Sequence, residues 1–241
     1  RINRMNCRVS VVMASYNGEK YISEQIDSIL TNLDENDELV ISDDGSTDET
    51  LHIIDSYIQK DSRIKLVKGP GKGVKANFAN AMKNSSGNYI FLSDQDDVWF
   101  KNKINQVLLL LANHDLVVHD CVVTKTSISD VIIPSFFVYR KSGAGVLKNI
   151  WKNTYIGCCM AFSRRLMKRI LPIPDDIEMH DQWIGILNDI FYKNTYFLKK
   201  QLIYYRRHDT NVSSFNHFPL NQMLHNRVVL IKELVKARNS Q

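Results

Sequence analysis

The sequence predicts an α/β protein, a mainly parallel sheet flanked by helices, with a smaller subregion after it. Three observations predict this. Short apolar, β-branched runs alternate with segments whose apolar residues recur at helical spacing. The connections are short, as in a doubly wound sheet. The first, second and fourth runs end in small or acidic polar residues, where open α/β sheets hold ligands. With 241 residues, 44% hydrophobic and 24% charged, the composition is that of a globular protein with a full core. Disordered, collagenous and disulfide-scaffold classes drop out.

Residues 9–14 (VSVVMA) read as a buried strand, and Ser15-Tyr16-Asn17-Gly18 as a turn. Residues 19–30 place Tyr21, Ile22, Ile26, Ile29 and Leu30 on one helical face. After the acidic loop 34–38, residues 39–42 are a second strand. Ser46 or Thr47 caps a helix carrying Leu51, Ile54 and Ile58, with acids in its first turn. A third strand (64–67), a Gly-rich loop (69–73) and a helix (74–82) follow. A fourth strand (89–93), a helix (101–112) and a fifth strand (116–118) complete the alternation. Beyond residue 121 the pattern loosens. It predicts a long loop over 134–146, a strand over 156–162, a basic helical turn over 164–170 and a helix over 182–192. A hairpin (195–198 with 202–205) and an amphipathic helix (220–235) end the chain. One domain, 1–241, is expected, with a first half (1–120), a second (121–218) and a terminal helix (219–241).

The formal charge of +5 is unevenly spread: residues 1–120 carry −5 and residues 121–241 carry +10. That split suggests two surfaces with different partners. Cys7, Cys121, Cys158 and Cys159 form no C-x-x-C pair and read as reduced thiols in a cytoplasmic protein. No apolar run approaches the roughly 18–20 residues of a membrane span, and the first residues lack a signal-peptide core. Met5 is the candidate native start.

Asp94-Gln95-Asp96-Asp97 directly follows the fourth strand. Three carboxylates so close repel one another unless a cation or a donor-rich ligand lies between them. All-oxygen ligands suit hard cations, Mg²⁺ or Mn²⁺, commonly shared with a diphosphate. A second reading leaves Asp97 as a simple helix cap.

The Ala-Ser-Tyr-Asn-Gly turn after the first strand, Asp43-Asp44-Gly-Ser-Thr-Asp after the second and Asp-x-Asp after the fourth resemble the inverting family 2 glycosyltransferases of GT-A fold. The resemblance covers residues 8–100 well and 157–208 more loosely. It implies a sugar-nucleotide donor, UDP- or dTDP-linked, and a Mn²⁺ or Mg²⁺ cofactor. Tyr16 would stack on the nucleobase, with Ala14, Ser15 and Asn17 lining the same pocket. Asp43 and Asp44 would face base and ribose, one accepting from the pyrimidine N–H. Lys75, Asn77 and Gln95 lie where the family contacts donor. Asp94 would meet ribose or sugar, Asp96 would ligate the metal, and Asp97 would orient the site.

The same resemblance makes Asp181, in His180-Asp181-Gln182-Trp183, the general base that takes the acceptor hydroxyl proton; an ordinary N-cap is its other reading. Trp183 and Gly157 fall where the family lines the acceptor, although small residues at 157–159 also suit plain core packing. Tyr205-Arg206-Arg207-His208 resembles a late family segment in which His208 would be a further metal ligand and Arg206 would neutralise the leaving diphosphate.

The sequence lacks the Gln-x-x-Arg-Trp segment of processive synthases, which favours addition of a single sugar. Its Ser-Asp-Gln-Asp-Asp-Val-Trp form resembles bacterial O-antigen and capsule enzymes of rhamnosyl-, galactosyl- or glucosyltransferase type, whose acceptors are saccharides often carried on a lipid diphosphate. Two other classes are weaker. A nucleotidyltransferase would need a basic residue in the first turn, and none stands before Lys20. A non-catalytic carbohydrate-binding relative would be expected to lose an acid at 94, 96 or 181. Scattered basic residues without an accompanying motif give no reason to expect nucleic acid. The terminal helix, with His225, Arg227, Lys232, Lys236 and Arg238 on its flanks, reads either as packed on the domain or as a peripheral contact with anionic lipid.

Overall fold

The computed structural model describes residues 8–208 and 219–239. The sheet follows the order β3-β2-β1-β4-β8-β6-β9-β5, with β7 paired to β6. Its first half is the expected parallel unit: β1 (Val9–Ser15), β2 (Glu38–Asp43), β3 (Ile64–Lys68) and β4 (Tyr89–Ser93). Val9, Val11, Val12 and Met13 are all fully buried, as are Leu39, Val40 and Ile41. A strand buried on both faces reads as a continuous apolar run because helices cover it from both sides. Those covers include α1 (Ile22–Leu30), α2 (Thr50–Ile58), α3 (Val74–Lys83) and α4 (Lys103–Leu111).

The start of α2 differs from expectation: Glu49 holds the N-cap position without a side-chain cap. Asp48, not Ser46 or Thr47, accepts the Thr50 amide at 3.0 Å and its hydroxyl at 2.6 Å. Ser46 and Thr47 are drawn instead into the loop after β1.

The second half departs further. β8 (Met160–Ser163) runs antiparallel between β4 and β6 (Leu116–Thr124), so the parallel order is interrupted. The expected strand over 156–162 is split, because Gly157–Cys159 forms a 3₁₀ turn. The loop expected over 134–146 contains α5 (Phe136–Arg140), capped by the Ser135 hydroxyl accepting from the Val138 amide. The expected hairpin is one long strand, β9 (Thr195–Arg206), parallel to β6. Its polar Lys199-Lys200-Gln201 looks like a turn in sequence. It lies instead at register shifts opposite His119 and Asp120, where Gln201 donates to Asp120 at 3.1 Å.

The length of β9 matters for the site. Its end pairs with β5 (Val98–Trp99), Val98 against Tyr204 and Trp99 against Ile203. That pairing brings Arg206 and His208 beside the Asp94–Asp97 loop. Around this half lie β7 (Val131–Ile133), α6 (Val146–Trp151), α7 (Arg164–Ile170), α8 (His180–Phe191) and the long α9 (Leu220–Asn239).

Candidate active site

The loops after β1 and β2 are tied into one shelf. Asn17 adopts a left-handed φ of 48°. Its amide donates to Ser46 Oγ at 2.8 Å, and its Oδ1 accepts from Thr47 N at 2.9 Å. Asp43 is buried and accepts four donors: the Ser15 and Ser46 hydroxyls at 2.7 and 2.6 Å, and the Ser46 and Gly45 amides at 2.8 and 3.1 Å. Asp44 accepts the Gly71 and Gly73 amides, each at 2.7 Å. Both glycines have positive φ, and only such backbone turns two amides toward one carboxylate so economically.

Gln95 braces the shelf against the acidic loop. Its Oε1 accepts from Tyr16 N, and its Nε2 donates to Tyr16 O, both at 2.9 Å. Gly18 faces that amide so closely that a Cβ would collide with it. The Tyr16 side chain is left 55% exposed at the sheet edge, a flat surface open to a ligand. Ala14 is half-buried beside it. Asn77 donates to Ser15 O at 3.1 Å. Lys75 reaches away from this shelf and donates to the Asp175 and Ile177 carbonyls, its pKa lowered by burial.

In the acidic loop the carboxylates divide. Burial, then the neighbouring Asp96 and Asp181, push the Asp94 carboxyl up to about 7, against the pull of Lys103. Burial, then the neighbouring Asp96 and Asp94, raise the Asp97 carboxyl as well; its Oδ1 accepts the Arg206 amide at 3.0 Å. Asp97 is therefore not the helix cap; Asn102, in left-handed conformation, precedes α4. Lys103 is buried beneath, its ammonium 3.6 Å over the Trp99 ring and donating to Cys158 O at 3.2 Å. Asp96 meets His208, Nε2 to Oδ2 2.8 Å, and the imidazole stacks on Tyr21 at 4.9 Å. Arg206 lies over the same Tyr21 ring, 4.6 Å away, and pairs with Glu24 at 2.6 Å. Its guanidinium is thus engaged by α1 rather than turned wholly to the site.

A carboxylate and an imidazole held together at one partly buried point suit Mn²⁺ or Mg²⁺ completed by phosphate and water oxygens. Asp94, Asp97 and Cys158 also approach one another closely. There the sulfur is a poor ligand for a hard cation, since burial holds the Cys158 thiol protonated. Asp96 and His208 are the better donor pair.

Asp181 lies in the first turn of α8, buried. Its Oδ1 accepts from Asn153 Nδ2 at 2.9 Å and from the Gln182 amide at 2.6 Å. Burial pushes its carboxyl up to about 6, against those bonds and the Gly157 amide. Met179 occupies the N-cap position and has no side-chain cap, so Asp181 is not the cap.

Both residues expected beside the acceptor, Trp183 and Gly157, are buried. Trp183 is buried in the core and donates its indole N–H to Ile170 O at 3.0 Å. The space left by Gly157 is filled by His180, whose Nε2 would lie 2.8 Å from a Cβ there. His180 packs on Phe78 at 4.6 Å, and burial beside Lys75 pushes it down to about 4, hence neutral at pH 7.

Asn153, Lys103 and the contacts of Tyr21 and Glu24 with Arg206 escape sequence reasoning. Lys103 alone had a signal, because it shares the apolar helix face of Val107 and Leu111.

The family described as "Glycosyl transferase family 2" matches residues 10–171. Among curated proteins, the chain is 30% identical over 192 residues to the Escherichia coli UDP-Glc:alpha-D-GlcNAc-diphosphoundecaprenol beta-1,3-glucosyltransferase WfgD, covering 75% of this chain and 70% of that protein. It is 39% identical over 102 residues to the dTDP-rhamnosyl transferase RfbG of Shigella flexneri, covering 40% of this chain and 35% of that one. In structure it is similar to Staphylococcus aureus TarS 1–349 in complex with UDP-GlcNAc, with a TM-score of 0.73, 20% identity, and coverage of 93% of this chain and 66% of that chain. The mannosyltransferase PcManGT from Pyrobaculum calidifontis, in complex with GDP-Man and Mn²⁺, superimposes with a TM-score of 0.59, 19% identity, and coverage of 81% and 55%. The fold is thus that of the GT-A glycosyltransferases, and with three strand-end loops converging on one sheet edge, the chain belongs to glycosyl transferase family 2.

Proposed function

We propose that the chain is a metal-dependent inverting glycosyltransferase that moves one sugar from a UDP- or dTDP-sugar to a saccharide on a lipid diphosphate, working at the cytoplasmic face of the membrane in surface polysaccharide synthesis. The observation that carries this reading is Asp181. It is a buried carboxyl lifted to about 6, close enough to Asp94 to raise that group in turn. A base poised near the working pH, beside the carboxylates of the donor side, is what a single displacement needs.

The acceptor hydroxyl oxygen attacks the anomeric carbon and its proton passes to Asp181. The bond from that carbon to the diphosphate oxygen breaks, and the electron pair leaves with the nucleotide diphosphate. Asp96 and His208 would hold Mn²⁺ or Mg²⁺, which would supply positive charge to stabilise the departing diphosphate. Tyr16 offers its exposed ring to the nucleobase. Asp44, each of whose oxygens accepts a single amide and keeps a lone pair, is the acceptor for a pyrimidine N–H, whereas Asp43, already holding four donors, keeps the shelf in shape. The donor and acceptor classes named by WfgD and RfbG support the choice of substrates.

The test is product mass and anomeric configuration with UDP-glucose and dTDP-rhamnose, Mn²⁺ and a diphosphate-linked saccharide. An inverted product is expected, and Asp181→Asn should keep donor binding while losing transfer by at least about a hundredfold. Transfer within a few-fold of the parent would move the base elsewhere.

A further inference from the structure

Helix α9 carries two apolar faces. Leu230 and Leu234 are buried against the domain. Leu224, Val228, Ile231 and Val235 recur at spacings of four, three and four and are all about half exposed. At about 100° per residue the second stripe lies roughly 120° around the helix from the first. It is not needed for packing on the domain, and it continues beyond the helix. Arg227, at its border, lies 4.2 Å over the Trp151 ring and donates to Trp151 O at 2.8 Å. Trp151 is 70% exposed, and Leu147, one turn earlier on α6, is 83% exposed.

Charge is gathered in the same place. Segments 134–152 and 219–239 together hold eight Lys and Arg and a single acid, Glu233, so they carry +7 while the rest of the chain carries −2. Among the described residues they also hold nine of the fifteen exposed large apolar side chains. An apolar stripe with a Trp and basic flanks has the composition that enters the headgroup region of an anionic bilayer. A second copy of this chain fits poorly, since a two-fold contact would set the basic face against itself.

We propose that α9 and α6 form a docking face for a bilayer rich in anionic phospholipid, seated by Leu224, Val228, Ile231, Val235, Leu147 and Trp151. The face adjoins the acceptor side of the site. Asn153, two residues after Trp151, holds Asp181, and Asn226 of α9 donates to Glu178 at 2.7 Å, three residues before it. Docking would present Asp181 toward an acceptor anchored in the same membrane. This deepens, and in its geometry rests on, the lipid-linked acceptor proposed above.

Flotation of the 241-residue chain with vesicles of phosphatidylglycerol and phosphatidylcholine, against phosphatidylcholine alone, tests it. The chain should float with the anionic vesicles and at least about tenfold less with the neutral ones. Leu224→Gln with Ile231→Gln should lower binding about tenfold or more, and so should Lys232→Glu with Arg238→Glu. These side chains point outward, and an unchanged thermal melt should accompany the loss. No flotation of the parent chain, or variants that float as well as the parent, would overturn the proposal. So would a dimer in solution that the Gln pair makes monomeric while vesicle binding is unaffected. Transfer to a water-soluble acceptor is measured alongside, without vesicles. If transfer persists and flotation fails, docking alone is refuted; if flotation holds and transfer fails, the catalytic reading alone is.

Discussion

At Asp181 two effects of opposite sign act on one carboxyl. Burial favours the neutral acid, while the Asn153 amide favours the carboxylate. As the proposed base, Asp181 works only when ionised, so kcat/KM should climb as pH rises through about 6 and level off above it. Asn153→Ala removes a donor to the charged form, and the climbing limb should move to higher pH by roughly one pH unit, since one hydrogen bond to a charged group is of that order. A pH profile of kcat/KM from 5 to about 9 checks the direction; a limb that stays in place, or moves down, would show that another group sets it. Asp181 could be singled out from sequence because of its motif, and the structure buries it at the start of α8. Asn153 could not, because its partner lies 28 residues away on another element.

The parallel strands were legible because burial on both faces makes each a short apolar run, and the loops because their polar residues punctuate those runs. The second half was not, and β9 shows why. A strand carrying Lys199, Lys200 and Gln201 looks broken when read alone; opposite the His119–Asp120 irregularity of β6 it is continuous. Tertiary pairing overrides the local pattern there. The brace between Gln95 and Tyr16 is equally invisible, since a Gln in an acidic motif reads as a ligand contact. Its two hydrogen bonds join the loops after β1 and β4 across a gap of 79 residues. Gln95→Ala should therefore loosen the Tyr16 shelf. The donor KM is expected to rise roughly five- to thirtyfold, the worth of one or two such bonds, with kcat little changed. Steady-state kinetics separates the two terms, and an unchanged KM would mean that the shelf holds itself.

Across the whole molecule, the uneven charge becomes a matter of position. The carboxylates of the first half include the four strand-end acids Asp43, Asp44, Asp94 and Asp96 at one sheet edge, whereas the positive excess is concentrated on the face formed with α6 and α9. A nucleotide and a bilayer are both anionic, but the two proposed sites would meet them differently: the first by an engaged cluster with a cation, the second by exposed Lys and Arg. Screening should tell them apart. The Debye length falls from about 10 Å at 0.1 M salt to about 3 Å at 1 M, and exposed charges lose most of their reach over that range while partly buried pairs lose little. Turnover on an acceptor embedded in phosphatidylglycerol vesicles should drop steeply as salt rises. Turnover on a water-soluble form of the same acceptor, which depends on the proposed donor site at the partly buried Asp96 and His208, should change by less than about twofold. Parallel falls in both assays would place the salt-sensitive step at the donor site instead of the docking face.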